Sequence, residues 1–149
     1  GVGDKARMAH PLGISGDRTT LFLVEGASSS LRTVAVPEGR VNTLVGQGLY
    51  QFSNADGPRI TAGLQHPTAV YADDARQTLW IADAYNHKIR AYNLKTQVLS
   101  TLPMSQSIQN PCALVADAES LWIADSAGSH IYRYFFDTEY LSRLSIQMA

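Results

Sequence analysis

The chain has 149 residues, of which 45% are hydrophobic and 17% charged, and twelve basic against thirteen acidic residues give a net charge of -1. This composition is typical of one folded domain and argues against disorder. The balanced charge and the lack of a run of about 18 apolar residues predict neither nucleic acid nor a membrane as a partner. The single cysteine, Cys112, excludes an internal disulfide and favours a reducing compartment, so we expect a cytoplasmic protein.

The same spacing of apolar residues occurs three times along the chain. Apolar runs begin at Leu21, Leu79 and Leu121. Ten residues later, second apolar patches begin at Leu31, Ile89 and Ile131. A residue followed by proline precedes each run, namely His10-Pro11, His66-Pro67 and Asn110-Pro111. Repeated spacing of this kind indicates a repeat protein.

Within each unit the periodicity is that of short strands separated by turn residues. The strands of the second unit are predicted at roughly 68–72, 78–83, 88–93 and 98–102. Connections of three to five residues favour antiparallel hairpins, so each unit is predicted to be a four-stranded meander. The predicted units, or blades, span about 10–46, 66–102 and 110–146, with an inter-blade loop at 47–65. Such sheets bury their faces by stacking, and radial stacking gives a β-propeller.

The stretch HPTAVYADDARQTLWIADAYNHKIRAYNLKTQVLSTL, residues 66–102, resembles an NHL repeat, with Asn86, His87 and Ile89 in the signature. Residues 28–58 resemble the propeller of thioredoxin-like proteins that carry C-terminal NHL repeats. The resemblance implies an all-β, NHL-type β-propeller of three four-stranded antiparallel blades, half of the usual six-bladed ring. The redox domain of that group has no counterpart among these residues.

Half a ring has two unpartnered flanks, in the first and third blades. Because large exposed apolar patches are uncommon on stable monomers, we expect something to cover them. One solution is a two-fold homodimer in which the first blade of each chain stacks on the third blade of the other. The other solution is that these residues are part of a longer chain whose remaining blades complete the ring.

An acidic residue ends the second strand of every unit, at Glu25, Asp83 and Asp125. A carboxylate at this place can accept hydrogen bonds from the backbone N–H groups of the four-residue connection that follows. Recurrence favours this structural role over catalysis, and no catalytic residue is predicted.

The histidines before the prolines are candidate metal ligands. His10, His66 and Asn110 precede the first strands, which line the channel of a propeller, so they are expected to ring one mouth. Imidazoles there could bind a divalent ion such as zinc or calcium, and an amidating lyase built on related repeats holds zinc with channel histidines. The alternative function is therefore a metal-dependent lyase or hydrolase. Alternatively, proline restricts the residue before it to extended backbone and simply begins a strand.

Exposed aromatic residues are candidates for binding a protein partner. Tyr50 and Phe52 lie in the predicted inter-blade loop, and long loops are often functional. The loop could equally be a crossover with a helical turn near 59–64. Tyr85 and His87 lie at the predicted hairpin tip of the second unit, although a histidine there could simply pack on the surface.

Other chemistry is predicted to be absent. Cys112 lies among apolar residues of a predicted inner strand, where a buried, inert thiol is expected. An RNA-binding face, the third function considered, would use the basic residues Arg7, Arg18, Lys88, Arg90 and Lys95. We therefore expect a non-catalytic propeller scaffold for protein-protein interaction, with no required cofactor.

Overall fold

The computed structural model describes residues 1–147. The first blade contains β1 (Pro11–Gly16), β2 (Thr20–Glu25), β3 (Ser30–Ala35) and β4 (Arg40–Val45). The second contains β5 (Gly57–Pro58), β6 (Pro67–Asp73), β7 (Thr78–Asp83), β8 (Lys88–Asn93) and β9 (Val98–Thr101). The third contains β10 (Pro111–Ala116), β11 (Ser120–Asp125), β12 (His130–Phe135) and β13 (Tyr140–Arg143). Two short 3-10 helices span Gly3–Lys5 and Ala84–Asn86. Neither is long and apolar enough to cross a bilayer.

Each blade is one antiparallel sheet in which four consecutive strands follow chain order from the inside outwards. The connections between these four strands have three or four residues, which leaves room only for hairpins. In the second blade β5 pairs with β9, so that sheet has five strands. The prediction of an all-β fold with three meandering blades is confirmed.

The innermost strand of every blade, β1, β6 or β10, has the same irregularity. The proline at its start pairs with the acidic residue that ends the next strand, and the register shifts immediately afterwards. These pairs are Pro11 with Glu25, Pro67 with Asp83 and Pro111 with Asp125. Proline has no N–H to donate to a ladder, so a strand start beside a bulge is a position that accommodates it. The repeat therefore extends to the details of strand pairing.

Two apolar cores lie between the three blades. One joins the first and second blades through buried residues such as Val24, Leu31 and Leu79. The other joins the second and third blades, and in it the rings of Trp80 and Phe136 stack with centroids 5.1 Å apart. The middle blade is therefore covered on both faces, as stacking of repeats requires.

The outward face of the third blade carries the same four residue types as the face of the second blade that it covers. On the second blade these residues are buried and consist of Ala69, Trp80, Ala82 and Ile89. The register places their equivalents on the third blade at Ala113, Trp122, Ala124 and Ile131. There they line an open apolar groove with Val115, which is 51% exposed.

The inter-blade crossover ends in a short edge strand followed by a turn. The N–H groups of Thr61 and Ala62 both donate to the carbonyl of Pro58 at 2.9 Å, which gives a single helical turn near the position considered from sequence. The N-terminal residues repeat this arrangement on the first blade, where Val2 bridges to Arg40 as Pro58 pairs with Val98.

The predicted burial of Cys112 is wrong. Its side chain is exposed, and its Sγ lies 3.5 Å from the carbonyl oxygen of Ala124. The sequence neighbours are apolar as expected, but no blade of residues 1–147 packs on the outward face of the third blade. An inner strand is buried only where another blade covers it.

Candidate functional site

His10 and His66 lie side by side where β1 and β6 begin. Both have left-handed backbone, with φ of 64° and 48°. The expectation that proline holds the preceding residue extended is therefore wrong for this pair. The His66 N–H donates to Ser29 Oγ at 3.0 Å, and the His10 carbonyl accepts the Gly26 N–H at 2.9 Å. These bonds to the neighbouring hairpin hold the two backbones in place.

The two imidazoles and one tyrosine form a row of rings. The centroids of His10 and His66 are 5.9 Å apart, and Tyr85 stacks on His66 at 4.5 Å. A Cβ at Gly26 would lie 2.8 Å from His66 Cε1 and 3.0 Å from His10 Nδ1. The second and third blades have Ala84 and Ser126 at the position equivalent to Gly26. Glycine thus makes room for the imidazole pair.

The pair supplies two imidazoles that could serve as metal ligands. Within residues 1–147, no group of three His, Cys, Asp or Glu side chains is placed to hold a metal ion. Asn110 bonds instead to its own hairpin, with its Nδ2 donating to Ser126 Oγ at 2.8 Å. The arrangement brings together two of the three residues predicted at the channel mouth.

The predicted partner-binding residues are exposed. Tyr50 is 75% exposed, and its N–H lies 3.5 Å from the carbonyl of Ala27 in the hairpin of the first blade. Phe52 lines a small cleft with Ser29 and Gly63. The crossover therefore displays aromatic side chains beside the hairpin tip that follows β2.

Tyr85 and His87 lie at the hairpin tip between β7 and β8. His87 has left-handed backbone, with φ of 56°, and its Nδ1 contacts the carbonyl oxygen of Gln109. His87 lines two clefts between the second and third blades, with volumes of about 370 and 450 Å³. Tyr85 lines the larger cleft with Gln65 and Asn110. The rest of the lining carries no Lys, Arg, Asp or Glu side chain.

Asp83 joins its hairpin to the crossover. Its Oδ1 accepts the Gln65 N–H at 2.7 Å, and its Oδ2 accepts Asn86 Nδ2 and Arg90 Nη1, each at 2.8 Å. Burial raises the pKa of Asp83, and the hydrogen bonds from Gln65, Asn86 and Arg90 oppose that rise. The predicted structural role holds, but the backbone donor comes from the crossover instead of the following hairpin.

Arg90 is the buried partner of Asp83, a role that was not predicted from the sequence. Its guanidinium is fully buried and donates to the carbonyls of Gly63 and Ala55 at 2.9 and 3.0 Å. It also pairs with Asp56 at 2.7 Å. Arg90 is therefore unavailable to the RNA-binding face considered from sequence, and that assignment is wrong. Arg32 follows Glu25 by seven residues, as Arg90 follows Asp83. This repeated spacing could have indicated the role of Arg90.

Glu25 and Asp125, the equivalents of Asp83 in the first and third blades, also accept several hydrogen bonds. Glu25 accepts Ser28 Oγ, Ser30 Oγ and Arg32 Nη1 at 2.7, 3.1 and 3.0 Å. Asp125 accepts the N–H groups of Gln109 and Asn110 at 2.8 and 2.9 Å. Burial alone would raise the pKa of Asp125, but these N–H groups and those of the following hairpin outweigh it and lower the pKa.

Comparison with curated proteins identifies similar sequences. NHL repeat-containing protein 2 from Bos taurus is 39% identical over 71% of this chain, and that of Homo sapiens is 40% identical over 66%. The Arabidopsis thaliana protein SUPPRESSOR OF QUENCHING 1, chloroplastic, is 31% identical over 63% of the chain. The chain spans 16%, 15% and 10% of the lengths of these relatives. No protein-family model matches the chain.

Solved structures show the same fold at low sequence identity. A chain of the nidogen/laminin complex matches 96% of this chain with a TM-score of 0.71 and 16% identity. Streptogramin B lyase matches 97% with a TM-score of 0.69 and 12% identity. The matches cover 48% and 43% of those chains, in agreement with half of a six-bladed ring. The chain has the fold of an NHL-type β-propeller, with three blades, and is similar in sequence to NHL repeat-containing protein 2.

Proposed function

We propose that this chain is a non-catalytic scaffold that binds proteins, and that the isolated 149-residue chain completes its ring by pairing with a second copy. The supporting observation is the outward face of the third blade. It repeats the Ala, Trp, Ala and Ile of the second blade, which are buried there by a neighbouring blade. A face of this composition matches the packing surface of another blade.

The outward face of the first blade supplies the complementary surface. On the third blade, the residues that cover the second blade include Leu121, Ile123 and Leu141. The register places Leu21, Leu23 and Val41 at the equivalent positions of the first blade. Leu23 and Val41 are already buried within the chain and Leu21 is half-buried. Ile14 on the same face is 61% exposed. A two-fold pair would stack each first blade on the partner's third blade and leave no flank open. In a longer chain, neighbouring blades would occupy the same places.

A charge placed in the groove tests the pairing. Val115→Glu changes an exposed side chain, so the fold should persist, but a dimer would bury the new carboxylate without a partner. Ile60→Glu is the matched control, because Ile60 is 74% exposed in the crossover turn. Sedimentation velocity should show Val115→Glu as a monomer and Ile60→Glu as a dimer. Identical masses for the two variants would contradict the proposed face.

The exposed aromatic residues of the crossover and of the hairpin between β7 and β8 support the proposed protein-binding role. Tyr50, Phe52 and Tyr85 are each more than half exposed, and large aromatic side chains contribute strongly to protein interfaces. His87 lies beside Tyr85 on the same hairpin. We infer that a partner protein contacts this surface.

The metal-dependent lyase or hydrolase is the second candidate, favoured by the closeness of His10 and His66. It predicts stoichiometric zinc in the purified protein, lost in the His10→Ala and His66→Ala double variant. His130→Ala, in the third blade, is the control. Metal content that is unchanged by the double variant would remove this candidate.

A further inference from the structure

The outer edges of the three blades are covered in different ways. On the second blade, β5 pairs with β9 as a fifth strand. On the first blade, Gly1 and Val41 exchange backbone hydrogen bonds of 3.2 and 2.8 Å. On the third blade, no strand among residues 1–147 pairs with the outer edge of β13. Unpaired edges of this kind are templates for another strand.

On β13, a side chain makes a hydrogen bond of the kind that an added strand would make. Val41, Leu99 and Leu141 are equivalent, since each pairs with the matching residue of the third strand of its blade. The Val41 carbonyl accepts the N-terminal amino group of Gly1, whereas the Leu141 carbonyl accepts Gln106 Nε2 at 3.0 Å. Gln106 lies on an exposed connection and can swing away from the edge.

The charge beside this edge indicates which kind of strand would fit. In the second blade, Asp56 precedes the added strand and accepts Thr101 Oγ1 at 2.9 Å. The register makes Arg143 the equivalent of Thr101. Arg143 is exposed at the end of β13, where its Nη1 lies 3.0 Å from His130 Nε2. A carboxylate in the position of Asp56 would therefore meet a guanidinium, which favours an acidic segment.

We propose that the outer edge of β13 binds an extended peptide segment of a partner protein, with an acidic residue placed beside Arg143. The segment adds a fifth strand, its backbone N–H displaces the Gln106 amide from the Leu141 carbonyl, and its carboxylate contacts Arg143. Main-chain hydrogen bonds at an exposed sheet edge are an established mode of peptide recognition.

The probe is a capped synthetic peptide with the sequence of residues 54–62, NADGPRITA, which contains the segment that adds to β9. Titrated into the isotopically labelled full chain, it should shift the backbone amide signals of Tyr140–Arg143 in a saturable way. N-methylation of the glycine that corresponds to Gly57 removes the donor to Leu141 and should weaken binding about tenfold. Replacing the peptide aspartate with asparagine should weaken binding by about two- to fivefold.

Variants of the chain complete the test. Arg143→Ser should weaken peptide binding by about two- to fivefold, whereas Lys95→Ser removes the same charge from an exposed turn of the second blade and should leave binding unchanged. Gln106→Ala removes the competing donor and should strengthen binding.

Three results would overturn the proposal. One is the absence of saturable shifts at β13, and another is equal binding of the N-methylated peptide. The third is a dependence of the β13 signals on protein concentration without peptide in the Val115→Glu variant, in which pairing through the groove is blocked, because this dependence would show that a second copy occupies the edge.

Discussion

Asp83 and Arg90 form an ion pair in which neither side chain has exposed surface, with Nη1 2.8 Å from Oδ2. The pair joins β7 and β8 to the crossover, because Arg90 also binds the carbonyls of Ala55 and Gly63. Removing one member of such a pair leaves the other charge buried without its partner, which is more costly than losing a surface contact.

Arg90→Met is therefore expected to lower the free energy of unfolding by about 3–5 kcal/mol, measured by urea denaturation. Arg32→Met is the matched control in the first blade. Its side chain is 17% exposed and its partner Glu25 also accepts two serine hydroxyls, so the loss should be smaller. Equal losses in the two variants would show that the crossover contacts of Arg90 add nothing.

Gly26→Ala tests the packing of the channel-mouth imidazoles. The new Cβ would lie within about 3 Å of both rings, so His10 and His66 must move apart, at a cost of about 1 kcal/mol for overpacking. The ring signals of these two histidines should shift in NMR spectra, while those of His87 and His130 should not. Unchanged His10 and His66 signals would contradict the observed packing.

The lowered pKa of Asp117 predicts that the stability of the fold decreases at acid pH. The Trp122 Nε1 donates to its Oδ2 at 3.0 Å, and this bond, together with the N–H groups of Glu119 and Ser120, lowers the pKa of Asp117. A lowered folded-state pKa gives stability that is present above the ordinary value of about 3.9 and is lost as the pH falls through the folded pKa.

Asp117→Asn should therefore lower Tm at pH 7 and reduce the fall in Tm between pH 6 and pH 2.5. Glu38→Gln is the control, since Glu38 is exposed in the turn between β3 and β4. If Asp117→Asn shows the same fall in Tm as the unaltered chain, Asp117 contributes nothing to the acid sensitivity.

The fold could be predicted from the sequence because the apolar residues recur at the same spacing in each unit. The strands predicted at 78–83 and 88–93 are β7 and β8 with the same bounds. Hairpin length and the alternation of side chains along strands are local properties, so they can be read without knowing what lies opposite.

Properties that depend on distant segments could not be predicted in the same way. Arg90 is buried because the crossover packs over it. The sequence around Arg90 does not indicate that this distant segment would bury it. Cys112 is exposed because nothing among residues 1–147 stacks on that face of its blade. The left-handed backbone of His10 and His66 likewise depends on bonds to a neighbouring hairpin.

The mass of the isolated chain in solution is the most direct test of ring completion. One chain has a mass of 16.2 kDa, and light scattering at micromolar concentration should give about twice that value. The two apolar flanks are then covered by the partner's blades. A mass of 16.2 kDa at all concentrations would contradict pairing through these flanks.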